Sequence, residues 1–479
     1  MKDRLEEKCA VFGIWGSGDA ARQTYFGLFS LQHRGQEQSG IVSSDGEQMI
    51  SYKGTGLVSQ VYTEDAIQSL KGTMAIGHNR YATSRGGGED HAQPVVCGIA
   101  TTPTGITNLP NVAFAHNGNL PSTKKLEEFL NSKGVKIENF SDSEMMANSI
   151  DVYMKEGKDV VEAIKSAYPL WTGAFSCVAL SGTSLVAFRD PCGIRPLVMG
   201  KRKNINGDEI VFASETCALI VVGGEFEREV LPGEMVIVNE KGITSVTLAT
   251  ANPKFDIFEF VYFARHDSDL LGKSVYEVRK NFGKMLAKEF KIEADIVVPV
   301  PETAVPAALG YSQASGIPFE MALSKNRYIN RTFIEPTQAD IDQKLKMKFL
   351  PLVETLRGKR VIVVDDSIVR GNTSRQIVRM FFDAGAIEVH LMSSSPKVMY
   401  PDFYGINTPK QTDLIASQKT TKEICEFVGA TSVSYLSVDG MVEATGLARD
   451  VFSLSGFTGE YPIDILERKA EVKYDVPNE

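Results

Sequence analysis

The stretch KRVIVVDDSIVRGNTSRQIVRMFFDAGA, residues 359–386, limits what this chain can fold into more than any other. Residues 361–364 are an unbroken Val/Ile run, the pattern of a parallel strand buried on both faces. Asp365 and Asp366 end the run, residues 367–373 form a glycine-containing turn, and Ile377, Val378, Phe381 and Phe382 recur at helical spacing. The unit is therefore strand, loop, helix. In an open α/β sheet the carboxyl ends of the strands face the ligand crevice, which puts both carboxylates there. Adjacent aspartates repel each other unless a cation or hydroxyl donors meet them. Gly371, Asn372, Thr373 and Ser374, at the helix start, offer amides and hydroxyls suited to a phosphate monoester. A lone acidic pair is more simply a solvated helix cap; strand, acidic pair and R-G-N-T-S in succession favour a site.

The texture on either side of residues 248–257 differs. Before it, short alternating segments such as GEMVIVNEKGITSVTLAT, divided by Gly, Asn and Asp turns, predict an antiparallel β-rich half. PSTKKLEEFLNSKG and the stretch around DVVEAIKSAYPLW interrupt it as helices, so this half is α+β. After it, near-continuous apolar runs (ADIVVPVP, KRVIVVDDS, IEVHLMSSS) alternate with helical segments, the mark of a parallel α/β sheet. A further helix is expected from LIASQ to FVGA. A chain of 479 residues accommodates two such domains, expected at 9–250 and 257–479, the second with a C-terminal extension. The net charge of −9 disfavours nucleic acid as a partner, and no run reaches the roughly 18 apolar residues of a membrane span. A cytoplasmic protein is expected. The six cysteines contain no C-x-x-C pair and suggest neither a zinc site nor a disulfide framework.

VIVVDDSIVRGNTS resembles the phosphoribosyl pyrophosphate (PRPP) signature of type I phosphoribosyltransferases. The resemblance implies that Asp365 and Asp366 hold the ribose hydroxyls and organise one PRPP-bound Mg2+, and that the loop of Ser367, Val369, Arg370, Gly371, Asn372, Thr373 and Ser374 wraps the 5-phosphate. VPVPETAVPAALG resembles the pyrophosphate-side loop, with Thr303 as a further metal contact. ALSKNRYINRTFIEPTQ resembles the mobile lid, whose Lys325, Arg327 and Arg331 suit a departing pyrophosphate. Such a lid would also exclude water.

Near the other end stands C-A-V-F-G-I after eight mostly charged residues that are too polar for a secretory signal. On position alone Cys9 reads as a buried strand residue. Four patches change that: LQHRGQEQSGI with Arg34 and Gly35, GHNRYATSRGG with Arg80, AFAHNGNL with Asn117 and Gly118, and FSDSEMM with Asp142. Singly each has a plain structural account, a helix N-cap in the case of Asp142. Together they resemble class II glutamine amidotransferases, whose nucleophile is an N-terminal cysteine; the implied fold is an antiparallel αββα sandwich of the N-terminal nucleophile type. A thiol near pKa 8.5 needs a base, and an α-amine near 8 serves only if Cys9 is the first residue. Residues 1–8 are therefore expected to be a leader that is removed. The resemblance gives Asn117 and Gly118 the oxyanion, Arg80 the glutamine α-carboxylate and Asp142 its α-ammonium.

Both halves in this order resemble the family of glutamine PRPP amidotransferases across nearly the whole chain. The implied reaction hydrolyses glutamine at Cys9 and channels ammonia to C1 of PRPP, giving 5-phosphoribosylamine, glutamate and pyrophosphate, the first committed step of purine synthesis. The resemblance also implies a homodimer or homotetramer and inhibition by purine nucleotides. Some members carry a four-iron four-sulfur cluster on four cysteines; the corresponding positions here are Asp256, Asp402, Ser453 and Gly456, so no cluster is expected. Two other readings are a PRPP- or nucleotide-sensing regulator without turnover and a glutaminase serving a hexose phosphate. The first predicts a damaged acidic pair, lid or nucleophile, and the second does not need the D-D-S-I-V-R-G-N-T-S loop.

Overall fold

The computed structural model describes residues 6–7, 9–80, 91–97, 106–108, 112–205, 207–326, 347–408 and 410–477. The rest of the leader, Arg327 and Arg331 lie outside the described residues.

The first half is built on two antiparallel sheets. The larger runs Glu225–Glu229, Val198–Asn204, Gly207–Ala213, Cys9–Trp15, Met74–Arg80, Gln38–Ser44, Gln48–Thr55, Ile106–Asn108. The smaller runs Gly242–Thr247, Glu234–Asn239, Ser184–Arg189, Thr172–Ser181, Val112–Ser122, Val95–Cys97. Period-two alternation sorts the side chains into three cores. Val11, Val42 and Ile76 of the larger sheet meet Ala113, Ala115 and Val178 of the smaller one. Ala10, Phe12 and Ile14 point the other way, onto the Ala20–Ser30 helix, which the sequence reading did not single out. Phe114, Cys177 and Phe188 back onto the Asp142–Lys155 and Val160–Ala167 helices. The result is the αββα sandwich expected.

The second half carries a parallel sheet ordered Ile296–Pro299, Arg360–Asp365, Glu388–Ser393, Ser432–Tyr435. Its central strand is buried on both faces, as the Val/Ile run predicts. Ile362 and Val364 face the helices Val275–Glu289 and Val305–Ser315, while Val361 and Val363 face Asn372–Asp383 and Thr421–Val428. The single helix expected from LIASQ to FVGA is instead one short 3-10 turn, Ile415–Ser417, followed by the helix Thr421–Val428. Thr420 starts that helix with a capping box to Glu423.

A buried ion network joins the halves. Arg34 pairs with Glu215 at 2.9 Å and Glu259 at 2.5 Å; Arg195 pairs with Glu259 at 2.8 Å and Asp256 at 3.0 Å. Glu215 also takes His33 at 2.7 Å and the Ser268 hydroxyl at 2.7 Å. Burial alone would raise the Glu215 carboxyl, but the charges of His33 and Arg34 hold it well below the usual range. Asp256 goes the other way: burial pushes it up, against Arg195, and the nearby Asp402 and Glu259 add to the rise. A two-residue strand, Glu6–Glu7, pairs antiparallel with Ile406–Asn407 of the second half.

Candidate active sites

Register assembles the first site. Cys9 lies opposite Arg80, and Arg80 opposite Gln38, so the three form one row across the larger sheet. By alternation with Val11, Ile76 and Val42 that row faces the smaller sheet. Asn117 continues the inward series Ala113, Ala115 and so faces the same space from the other side. Cys9 and Arg80 are each only 7% exposed, and the Arg80 guanidinium donates to Gln38 Oε1 at 3.1 Å.

Asn117 is fully buried, yet among the described residues neither its side-chain oxygen nor its nitrogen has a hydrogen-bond partner. Burying an unpaired amide costs about 1–3 kcal/mol, so such a group points to a ligand. Gly118 follows with φ 148°, and a Cβ there would lie 2.0 Å from the Ala174 carbonyl oxygen. No other residue fits this position. Histidines flank the amide: His78 Nε2 meets the His116 carbonyl at 3.2 Å, and His116 Nδ1 meets Ser143 Oγ at 3.1 Å. Burial, with Arg80 adding, pushes the His78 imidazole down to about 3 and keeps it neutral.

Asp142 is not the helix N-cap that the sequence suggests. Ser141 caps, with Glu144 closing the capping box, because Ser141 holds the extended backbone of a cap while Asp142 is already the first helical residue. Freed from capping, Asp142 accepts from the Leu120 amide at 3.2 Å and the Ser143 amide at 2.8 Å, beside the Asn117–Gly118 strand. Arg34 belongs to the buried network between the halves.

The second site lies at the end of the central parallel strand. Asp365 and Asp366 are 3% and 2% exposed. Asp365 Oδ1 accepts from the Asp366 amide at 3.0 Å, and Asp366 Oδ1 from the Ser367 hydroxyl at 2.9 Å. Asp366 Oδ2 is buried and, among the described residues, without a partner. Gly371, in the left-handed region at φ 80°, starts the Asn372–Asp383 helix and turns Asn372, Thr373 and Ser374 into its first turn. Val369 is pinned through its carbonyl to the Ile415 amide at 2.9 Å, and Arg370 faces Asp413 at 3.6 Å. Thr303 sits at the end of the Ile296–Pro299 strand, before the Val305–Ser315 helix. Lys325 reaches this loop, 3.8 Å from Glu302.

Of the residues that sequence reasoning missed, Gln38, His78, His116 and Ser143 support the first site. His78 and His116 sit inside the G-H-N-R and A-H-N-G motifs, whose alternation could have found them.

Comparison with known proteins fits both sites. A glutamine amidotransferase domain model matches residues 101–221, and a phosphoribosyl transferase domain model residues 270–396. The amidophosphoribosyltransferase of Bacillus subtilis is 43% identical over 469 residues, covering 97% of this chain and 96% of that protein. That of Synechococcus elongatus is 44% identical over 467 residues, 97% and 93% of the two chains. This chain belongs to the amidophosphoribosyltransferase family. Amidophosphoribosyltransferases are glutamine-dependent pentosyltransferases, and the chain is such an enzyme, carrying both domains. Two solved structures agree over its length. One, described as the allosteric regulatory enzyme of purine biosynthesis, has a TM-score of 0.88 at 42% identity, covering 96% of this chain and 97% of that one. The other, the B. subtilis glutamine PRPP amidotransferase complexed with ADP and GMP, has a TM-score of 0.87 at 42% identity, with 96% and 98% covered.

Asp256, Asp402, Ser453 and Gly456 offer two carboxylates, a hydroxyl and no fourth side-chain donor, which is not a thiolate set. Protein groups pack them: Asp256 holds Arg195, a Cβ on Gly456 would lie 2.8 Å from the Phe258 ring, and that ring stacks on Phe457 at 4.6 Å.

Proposed function

We propose that glutamine is hydrolysed between the two antiparallel sheets and its nitrogen passed to PRPP at the end of the parallel one. Cys9 attacks the side-chain amide of glutamine, its α-amine taking the thiol proton once residues 1–8 are removed. The oxyanion that forms is met by the Asn117 side chain and the Gly118 amide. The buried Asn117 amide without a partner is the observation that carries this reading. Its donor is already desolvated and aimed, so no reorganisation is needed when the charge appears. Arg80 and Asp142 select an amino acid by its α-carboxylate and α-ammonium. Collapse of the tetrahedral intermediate breaks the C–N bond, releasing ammonia and leaving a glutamyl thioester that water hydrolyses to glutamate; the ammonia attacks C1 of PRPP as pyrophosphate departs. The products are 5-phosphoribosylamine, glutamate and pyrophosphate.

Asp365 and Asp366 take the ribose hydroxyls, an assignment supported by Asp366 Oδ2, which makes no hydrogen bond among the described residues. The amides and hydroxyls of residues 367–374, at a helix N-terminus, suit the 5-phosphate. Lys325, Arg327 and Arg331 serve the pyrophosphate side. One Mg2+ would enter with PRPP, held by the acidic pair and Thr303; it would offset the charge of the pyrophosphate. Among the described residues no cluster of three His, Cys, Asp or Glu side chains could hold the ion alone, so PRPP oxygens would complete its shell. Domain limits of 9–250 and 257–479, a homodimeric or homotetrameric state, inhibition by purine nucleotides and a cytoplasmic location belong to the same proposal. No helix among the described residues is long and apolar enough to cross a membrane.

The test is purified protein with glutamine and PRPP. PRPP-dependent release of glutamate and pyrophosphate is expected, and Cys9→Ala should abolish the glutamine-driven reaction while leaving synthesis from added ammonia. Glutamine-driven synthesis by Cys9→Ala would refute the nucleophile. Mass spectrometry should find Cys9 first in the active enzyme; an intact leader at full activity would refute the terminal amine.

A further inference from the structure

The strand that carries Asn117 and Gly118 is not supported by its own half alone. After the Glu388–Ser393 strand of the parallel sheet, the chain leaves the acidic pair, where the Ser394 amide donates to the Asp365 carbonyl at 2.8 Å, and crosses to the antiparallel sandwich. There it makes one tight turn, residues 402–406, directly on the Asn117–Gly118 backbone.

Asp402, 9% exposed, folds the turn. Its Oδ1 accepts from the Tyr404 amide at 2.8 Å and the Ile406 amide at 3.0 Å, while its own amide donates to Thr408 Oγ1 at 2.7 Å. So folded, the turn offers two contacts. The Phe403 carbonyl accepts from the Asn119 side chain at 2.8 Å. Gly405 adopts φ 125°, and a Cβ there would lie 3.3 Å from Gly118 Cα and 3.6 Å from Arg195 Cδ. Gly118 thus lies close against two backbones, those of Ala174 and Gly405. Tyr404 and Phe403 are buried with Ala174, Cys192, Ile194 and Ile465, so the turn is seated and not a loose loop.

We infer that the turn at 402–406, contributed by the phosphoribosyltransferase half, is a built part of the glutaminase site: Asp402 is a positioning residue, and Gly405 with the Phe403 carbonyl fixes the backbone on which Asn117 and Gly118 stabilise the oxyanion. The inference rests on the oxyanion role proposed above. Its physical content is that a shift of a few tenths of an ångström at Gly118 misaims its amide, and such a donor acts only in the transition state. The turn therefore supports kcat of the glutamine reaction and not the binding of PRPP.

The test uses the full-length enzyme and compares glutamine-driven with ammonia-driven synthesis from PRPP. Gly405→Ala, strained at φ 125° and pressing on Gly118, should lower the glutamine-driven kcat at least tenfold and leave the ammonia-driven rate within about twofold. Asp402→Ala should behave alike, and Asp402→Asn, which keeps an oxygen for the Tyr404 and Ile406 amides, should recover most of the rate. Asn119→Ala probes the same contact from the other side if either turn variant fails to fold, with the same split of rates expected. An unchanged glutamine-driven rate in Gly405→Ala overturns the inference, as does a parallel fall of both rates, the mark of a merely structural turn. Failure of the oxyanion reading itself would appear separately, as an Asn117→Ala enzyme of undiminished glutamine-driven rate.

Discussion

A side-chain amide that is fully buried yet makes no hydrogen bond is costly to keep, and among the described residues Asn117 is such a residue. The histidines beside it turn to other groups: His78, held neutral by burial, meets the His116 carbonyl through Nε2, its Nδ1 making no hydrogen bond among the described residues, and His116 meets Ser143 through Nδ1. Among the described residues the Asn117 amide thus makes no hydrogen bond, nor does Asp366 Oδ2 at the second site, and the proposed substrates would supply the missing partners. Replacing Asn117 with Ala should lower the glutamine-driven kcat by about 10² to 10³, the usual cost of one oxyanion donor. It should leave KM for glutamine nearly unchanged, because Arg80 and Asp142 are intact. Removing an unpaired buried amide should also hold or raise the thermal midpoint. Steady-state kinetics and a melting curve on one preparation check both; a lower midpoint with unchanged kcat would show that Asn117 is structural.

Elements decide how firmly such residues are aimed. The Asp142–Lys155 helix starts from Ser141, whose hydroxyl accepts from the Glu144 amide at 3.3 Å while Glu144 Oε2 takes the Ser141 amide at 2.7 Å. Ser141→Ala should cost about 0.5–2 kcal/mol of stability and, by letting the first turn fray, raise KM for glutamine more than it lowers kcat, since Asp142 sits in that turn. Denaturant titration and glutamine saturation curves measure the two effects. The reading of Asp142 as the cap shows where local pattern stops: S-D-S-E offers two cap candidates, and only backbone geometry chooses Ser141. Local signals served well elsewhere. The Val/Ile run, acidic pair, glycine turn and apolar spacing of residues 361–382 each rest on neighbours in sequence, and each matches the strand, loop and helix observed. The Cys9–Arg80–Gln38 row and the Asn119–Phe403 contact, 284 residues apart, depend on pairing that no local pattern encodes.

At the scale of the whole molecule, the two halves share buried charge and not only apolar surface. Arg34, Arg195 and Glu259 are fully buried, and Glu259 receives both arginines, one 225 residues away. A buried ion pair is a weak source of net stability, because desolvation opposes attraction, but deleting one partner leaves an uncompensated charge and costs about 3–5 kcal/mol. Glu259→Leu removes a carboxylate common to both guanidiniums, while Arg34 keeps Glu215 and Arg195 keeps Asp256. Asp256 is a poor substitute, since burial and the nearby Asp402 still favour its protonated form. The variant should therefore lose several kcal/mol, and because the loss falls between the halves, a single urea transition should split as one half unfolds before the other. Lys288→Ala is the control: it breaks an ion pair of similar length, 3.2 Å to Glu443, with both side chains about two-thirds exposed, and should cost no more than about 1 kcal/mol. Urea unfolding followed by tryptophan fluorescence reports the first half, which holds both tryptophans, Trp15 and Trp171, and far-ultraviolet circular dichroism reports the whole chain. In the wild type the two signals should change together; in Glu259→Leu they should separate. Coincident curves with a midpoint no lower than that of Lys288→Ala would show that the network does not couple the halves.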